Sequence, residues 1–143
     1  MKSSIPAKLR NAVQARDDRA CRYCRLTQVG QGATFHIDHV LPRSKRGQTV
    51  LDNLVLQCPH CSLRKSNKTE AADPVTGQTC ELFNPVRQDW DEHFELRPDG
   101  TIVGLSTSGR ATVEALHMNA VLPRTARAYQ LTLGLLRASR GQS

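Results

Sequence analysis

The residues best suited to chemistry fall in one short stretch. Two Cys-x-x-Cys pairs, Cys21/Cys24 and Cys58/Cys61, enclose His36-Ile37-Asp38-His39; Asn53 precedes the second pair and Lys65 follows it. Thiolates are good zinc ligands, and one Cys-x-x-Cys turn presents two sulfurs at once. Two such turns complete a closed tetrahedral site. The 33 residues between the pairs must then fold as a substantial unit between the knuckles. A redox role for Cys-x-x-Cys calls for a βαβ setting, which this pattern lacks, so structural Zn2+ is the reading. His60, inside the second knuckle, is the alternative to one of the sulfurs. Cys80, the fifth cysteine, reads as a reduced, partly buried thiol without a role.

The enclosed groups suit a metal-assisted cut of a phosphodiester. A divalent ion stabilises charge on the phosphate and the leaving oxygen. An imidazole with a pKa near neutrality takes the proton from the attacking water. Asp38 offers a carboxylate to Mg2+ or Mn2+, and His39 offers the imidazole. Arg43, Lys45, Arg46 and Lys65 are phosphate contacts in this reading. His36 lies two residues before Asp38 and so on the same face of an extended strand; it is a ligand, a substrate contact or a structural residue. His93 reads as a structural histidine, with a ligand role as the alternative. Trp90 is a core anchor, and His117 is structural.

These groups need elements to hold them. Ser4 and Pro6 suggest a helix start, with Leu9 and Val13 at helical spacing through about Ala20. Thr34-Phe35-His36-Ile37 reads as a short strand, and Pro42 and Gly47 break the basic loop that follows. Val50 to Leu56 is a second extended segment, and a helix starts between Cys61 and Lys68. The local order is strand, loop, strand, helix. Beyond it come a turn at Asp73–Gly77 and a hairpin of Phe94–Leu96 with Thr101–Val103 about Pro98-Asp99-Gly100. Two helices close the chain. One lies near Ala111–Met118, with Val113 and Leu116 apolar; the other lies near Arg124–Arg140, with Ala128, Leu131 and Leu135 apolar.

Cys21-Arg22-Tyr23-Cys24, His36-Ile37-Asp38-His39-Val40-Leu41-Pro42, Asp52-Asn53-Leu54-Val55-Leu56, Cys58-Pro59-His60-Cys61 and Lys65 together resemble the HNH endonuclease family. They cover about a third of the chain. Leu82-Phe83-Asn84-Pro85, Trp90, His93-Phe94 and Ile102-Val103-Gly104-Leu105 look like the tails of bacterial stand-alone members. The resemblance implies a ββα-metal finger beside a structural zinc. It makes His39 the general base and Asp38 a ligand of the catalytic metal, and it has Asn53 hold the loop that orients His39. One position departs from the pattern. Nine residues beyond Asn53, where the family usually has His or Asn as a metal ligand, stands Ser62. A hydroxyl is the poorer ligand. Either Ser62 ligates directly or through water, or His36 or His93 substitutes, or catalysis is impaired.

Composition sets the frame. The chain has 143 residues, 38% hydrophobic and only 4% aromatic, so its core is lean and a metal clamp would help it. Net charge is +7, unevenly spread. Residues 1–69 hold 13 Lys/Arg against 4 Asp/Glu, whereas residues 70–100 hold 2 against 8. A basic half that coincides with the motif suits a nucleic acid, and the acidic segment belongs away from the binding face. No run is long enough to span a bilayer, and the start lacks an apolar signal core. Paired cysteines then fit a reducing cytoplasm. The expectation is an α+β protein: residues 1–72 form the zinc-stapled core with its N-terminal helix, and residues 73–143 a hairpin and helical extension packed on it. The expected function is a metal-dependent DNA endonuclease. A non-catalytic zinc-dependent nucleic-acid-binding module and an RNA-directed nuclease are the alternatives.

Overall fold

Pro6 stands at the threshold of the first helix, where its missing N–H leaves no bond unmade. In the computed structural model, which describes residues 5–139, helix α1 spans Ala7–Arg16 and buries Val13. Ser4, expected as its cap, lies outside the described residues. The helix stops short of Ala20 because Asp18 and Arg19 take left-handed backbone angles, φ 51° and 57°. That turn delivers the chain into the first knuckle.

Strand β1, His36–His39, pairs antiparallel with β2, Leu54–Gln57, so that Asp38 lies opposite Val55 and His39 opposite Leu54. Every residue of β2 is buried, whereas β1 is half-exposed. One strand therefore belongs to the core and the other carries chemistry at the surface. Val50 and Leu51, expected within the second strand, remain in the loop. A 3-10 turn at Leu51–Asn53 precedes β2, and another occupies Arg43–Lys45. Helix α2, Pro59–Lys65, begins inside the second knuckle; proline fills its first turn, and the Cys58 sulfur caps it by accepting from Cys61 N. The result is a ββα unit in an α+β protein.

The rest of the chain adds two hairpins and three helices. Strands β3, Glu70–Ala72, and β4, Thr79–Glu81, form a hairpin about the expected Asp73–Gly77 turn. Residue 72, where the sequence divides core from extension, is the last of β3 and pairs with Thr79. A single-turn helix α3, Trp90–His93, leads into β5, Phe94–Leu96, which pairs with β6, Ile102–Gly104. Gly100 closes this hairpin at φ 88°, and a side chain there would strike the Arg124 carbonyl. Helix α4, Thr107–Ala115, is capped by Ser106, and α5 spans Val121–Thr132. The inward face of α5 differs from the expected Ala128, Leu131 and Leu135 row. Pro123, Arg127 and Gln130 are buried, while Leu135 lies beyond the helix end and is exposed. Polar side chains turn inward here because they meet backbone groups: Gln130 those of Thr27 beside the first knuckle, Arg127 the carbonyls of Gly100 and Met118.

One apolar cluster joins both halves. Val13, Tyr23, Leu54, Val55 and Leu56 pack with Phe83, Trp90, Phe94, Ile102 and Met118 around the cysteines. Trp90, 7% exposed, donates from Nε1 to the Tyr23 carbonyl at 2.8 Å and stacks under Arg25, whose guanidinium carbon sits 4.4 Å from the ring centre. It is the anchor expected, and it ties the extension to the first knuckle. Among the described residues no helix is long and apolar enough to cross a membrane.

Candidate metal centre and active site

Each knuckle is a tight turn whose backbone points at its own sulfur. Cys24 N–H reaches Cys21 Sγ at 3.5 Å, and Cys61 N–H reaches Cys58 Sγ at 3.4 Å. Arg22 N donates to the Leu56 carbonyl at 2.9 Å, which sets the first knuckle against β2 and beside the second. All four sulfurs are buried and lie within 4.8 Å of one another. Cys24 and Cys58 are 3.7 Å apart, close to the roughly 3.8 Å edge of a tetrahedron with zinc–sulfur bonds of about 2.3 Å. The donor set therefore fits zinc. Hydrogen bonds from the Cys21, Cys58 and Cys61 thiols hold Cys24 well below the usual thiol range, with a smaller contribution from the Arg127 charge. The same network, led by Cys21, pushes Cys58 and Cys61 up. A divalent cation among the four sulfurs would turn all of them to thiolates, since a coordinating thiol is deprotonated. His60 takes no sulfur's place, since its Nε2 bonds the His117 carbonyl at 2.9 Å.

On the other side of β1 the groups are sparser. Asp38 and His36 share a strand face, and α2 brings Ser62 between them. The Ser62 hydroxyl donates to Asp38 Oδ2 at 2.5 Å and lies 3.0 Å from His36 Nδ1. Carboxylate, hydroxyl and imidazole thus form one chain of contacts. A carboxylate with two neutral donors suits a divalent ion that keeps several of its waters. His39, at the end of β1, has its Nε2 2.8 Å from Thr49 Oγ1. Burial and the nearby Arg43 charge lower its pKa, and Asp38 offsets part of that. A neutral imidazole is able to accept a proton.

Asn53 holds the loop that carries these groups. Its Oδ1 accepts from Leu41 N at 2.8 Å, and its Nδ2 donates to the Leu41 and Gln48 carbonyls at 3.0 and 2.9 Å. Gly47 completes the staple, because a side chain there would stand 1.7 Å from the Leu41 carbonyl oxygen and 2.9 Å from Asn53 Nδ2. The loop closes only around a glycine.

The expected phosphate contacts divide. Arg43, Lys45 and Arg46 are exposed beside the loop. Lys65 is not a surface contact: it is 2% exposed, and its ammonium donates to the Val40 carbonyl at 2.9 Å. Burial lowers its pKa to about 8, against the raising effect of Asp38. It braces the loop from beneath. His93 is not at the Asp38 face either; its Nδ1 pairs with Ser106 Oγ at 2.7 Å and its ring leans on Phe83. Among the described residues, the four cysteines are the only group of three or more His, Cys, Asp or Glu side chains placed to share an ion. Cys80 is half-buried and burial raises its pKa, in keeping with an unreactive thiol.

Sequence reasoning passed over Asp17 and Thr49. The buried Asp17 carboxylate accepts from Arg16, Arg22 and Leu56 N, which joins α1, the first knuckle and β2. An aspartate after a helix gives no such signal in sequence. Thr49 lies in a loop of ordinary composition, so only the fold places it beside His39.

Residues 21–68 match the family model described as HNH endonuclease. This segment is an HNH domain. No match was found among curated proteins or among solved structures. The HNH domain takes in both knuckles, the ββα unit and the loop held by Asn53, whereas Asp17, Cys80 and His93 lie outside it. Its closed half fits structural zinc, and its open half presents the nuclease-like groups.

Proposed function

We propose that this chain is a metal-dependent endonuclease that hydrolyses phosphodiester bonds in DNA. The observation that carries the reading is the contact chain Asp38–Ser62–His36 on one face of β1, with the lowered-pKa imidazole of His39 at the next residue. Asp38, Ser62 and His36 are the residues that would hold Mg2+ or Mn2+. When bound, such an ion supplies Lewis-acid stabilisation of the phosphate and leaving oxygen. His39, neutral near pH 7, takes the proton from the attacking water. Thr49 and the Asn53 staple keep that imidazole aimed. Arg43, Lys45 and Arg46 hold substrate phosphates and make binding depend on salt. Lys65 acts at one remove, by bracing Val40.

The test is digestion of supercoiled plasmid with Mg2+, with Mn2+ and with EDTA, run beside a structured RNA. Metal-dependent nicking or linearisation of the plasmid supports the proposal. Cleavage of the RNA alone favours the RNA-directed alternative. Salt-sensitive binding without cleavage of either favours the non-catalytic zinc module.

A further inference from the structure

Helix α5 turns a guanidinium into the protein interior. Arg127 is 0% exposed, and its Nε and Nη2 donate to the Gly100 and Met118 carbonyls at 2.8 and 2.7 Å. Its Nη1 is buried without a hydrogen-bond partner. Among the described residues no carboxylate pairs with it. A buried charge without a counter-charge is strongly destabilising, so something else in that interior must compensate it.

Two contacts made by neighbouring residues tie its surroundings to the knuckles. Gln130, three residues on along the same helix face, clasps Thr27 just past the first knuckle, accepting from its N–H at 3.0 Å and donating to its carbonyl at 2.7 Å. On the other side, His60 inside the second knuckle bonds the His117 carbonyl at 2.9 Å, next to the Met118 carbonyl that Arg127 holds. Gln130 on the helix face of Arg127, and His117 next to the Met118 that Arg127 holds, are thus each tethered to a knuckle. Four thiolates around one divalent ion carry a net double negative charge, and all four sulfurs are buried. With zinc bound, an unpaired cation and an anionic centre would be buried in one connected core, each lowering the other's penalty.

We propose that Arg127 is the built-in counter-cation of the four-cysteine centre, so that zinc binding and docking of helix α5 stabilise each other. The proposal rests on zinc at the cysteines and not on any catalytic role. Linkage is reciprocal: losing the metal strands a buried guanidinium and loosens α5, and losing the guanidinium weakens the hold on zinc. A residue that only ties the Gly100 and Met118 carbonyls together would not distinguish the metal-bound from the metal-free protein.

The experiment uses the full chain, purified with zinc, as wild type, Arg127→Lys, Arg127→Gln and Arg127→Met. Zinc affinity is measured by competition with a chelator. Lysine and glutamine both lose the forked geometry, but only lysine keeps the charge. The expected result is about a 10- to 100-fold loss of zinc affinity for the Gln and Met variants, with the Lys variant much closer to wild type. Equal affinities for the Lys and Gln variants would overturn the proposal, since shape or carbonyl bonding would then explain the residue. A second measurement keeps the metal in place: amide exchange across residues 121–132 of the zinc-loaded wild type, Arg127→Lys and Arg127→Gln. Protection there should fall for the Gln variant and stay near wild type for the Lys variant, and equal protection in the two would equally overturn the proposal.

Discussion

Around the four cysteines every sulfur is buried, and those of Cys21 and Cys58 accept backbone N–H groups, while the loop that carries His39 lies half in water. The two regions share the β1–β2 hairpin and differ in how they are held. The metal centre is closed, joined to α1 through Asp17, to the extension through Trp90, and to α5 through Gln130. The loop depends on one asparagine, one glycine and one buried lysine. A closed set of four sulfurs leaves no position for a substrate, so it can only stabilise. An open carboxylate–hydroxyl–imidazole set, as proposed for Asp38, Ser62 and His36, would hold an ion loosely and leave it room for a substrate oxygen. Damage to the first region should therefore abolish the fold, and damage to the second should abolish turnover while sparing the fold.

The largest effect is expected at the closed site. Cys58→Ser removes a sulfur that belongs to the cluster and also caps α2. Because binding energy at such a site is folding energy, the variant should lose its cooperative thermal transition in circular dichroism, as should wild type treated with a strong chelator. A zinc-free protein that melts as wild type does would contradict this.

Asn53→Ala should have a smaller, mixed effect. Three hydrogen bonds to the loop disappear, each worth on the order of 1 kcal/mol. The melting temperature should drop by several degrees with zinc content intact, and cleavage should fall by more than the loss of folded protein explains. Equal loss of both would mean that the loop serves only stability.

Ser62→His tests how open the second site is. It restores the residue type the family usually has, at a position already 2.5 Å from Asp38. Half-maximal activity should require less Mg2+, a change of about tenfold or less. An unchanged requirement would point to His36 as a sufficient partner for Asp38, which His36→Ala would then test.

The smallest effect is a displaced pH limb. In the proposed reaction His39 acts when neutral, and burial first, then Arg43, lowers its pKa. Activity should therefore hold into mildly acidic solution and fall as pH drops through that lowered value. Arg43→Gln removes one lowering influence, so its acid limb should move up toward the ordinary imidazole range. The displacement should shrink at high salt. A limb that does not move would show that burial alone sets the value.

Much of this arrangement is legible in the chain. The knuckles announce themselves because two sulfurs per turn is a local geometry, and Pro98-Asp99-Gly100 does the same for the β5–β6 hairpin. The ββα order follows from Pro42, Gly47 and the second knuckle. What stays hidden depends on contacts between distant elements. Strands β3 and β4 carry Glu, Ala, Thr and Cys, without the alternating apolar pattern that marks a strand. Lys65 reads as a surface charge until α2 packs beneath the loop and turns its ammonium to the Val40 carbonyl. The link from Ser62 to His36 exists only because α2 crosses β1 at that height. Arg127 was hidden for the same reason: a helix face is judged by its apolar residues, and this one buries polar groups against backbone carbonyls of distant loops.

The most direct measurement is a paired one on wild type and His39→Ala from contaminant-free preparations: zinc content, melting temperature and Mg2+-dependent plasmid cleavage. The imidazole contributes a proton acceptor and little packing, so zinc content and melting should match wild type. Cleavage should fall by about a hundred- to ten-thousand-fold. Cleavage that survives His39→Ala undiminished, or a wild type that cleaves no nucleic acid with any divalent metal, would contradict the division between a stabilising zinc half and a catalytic loop.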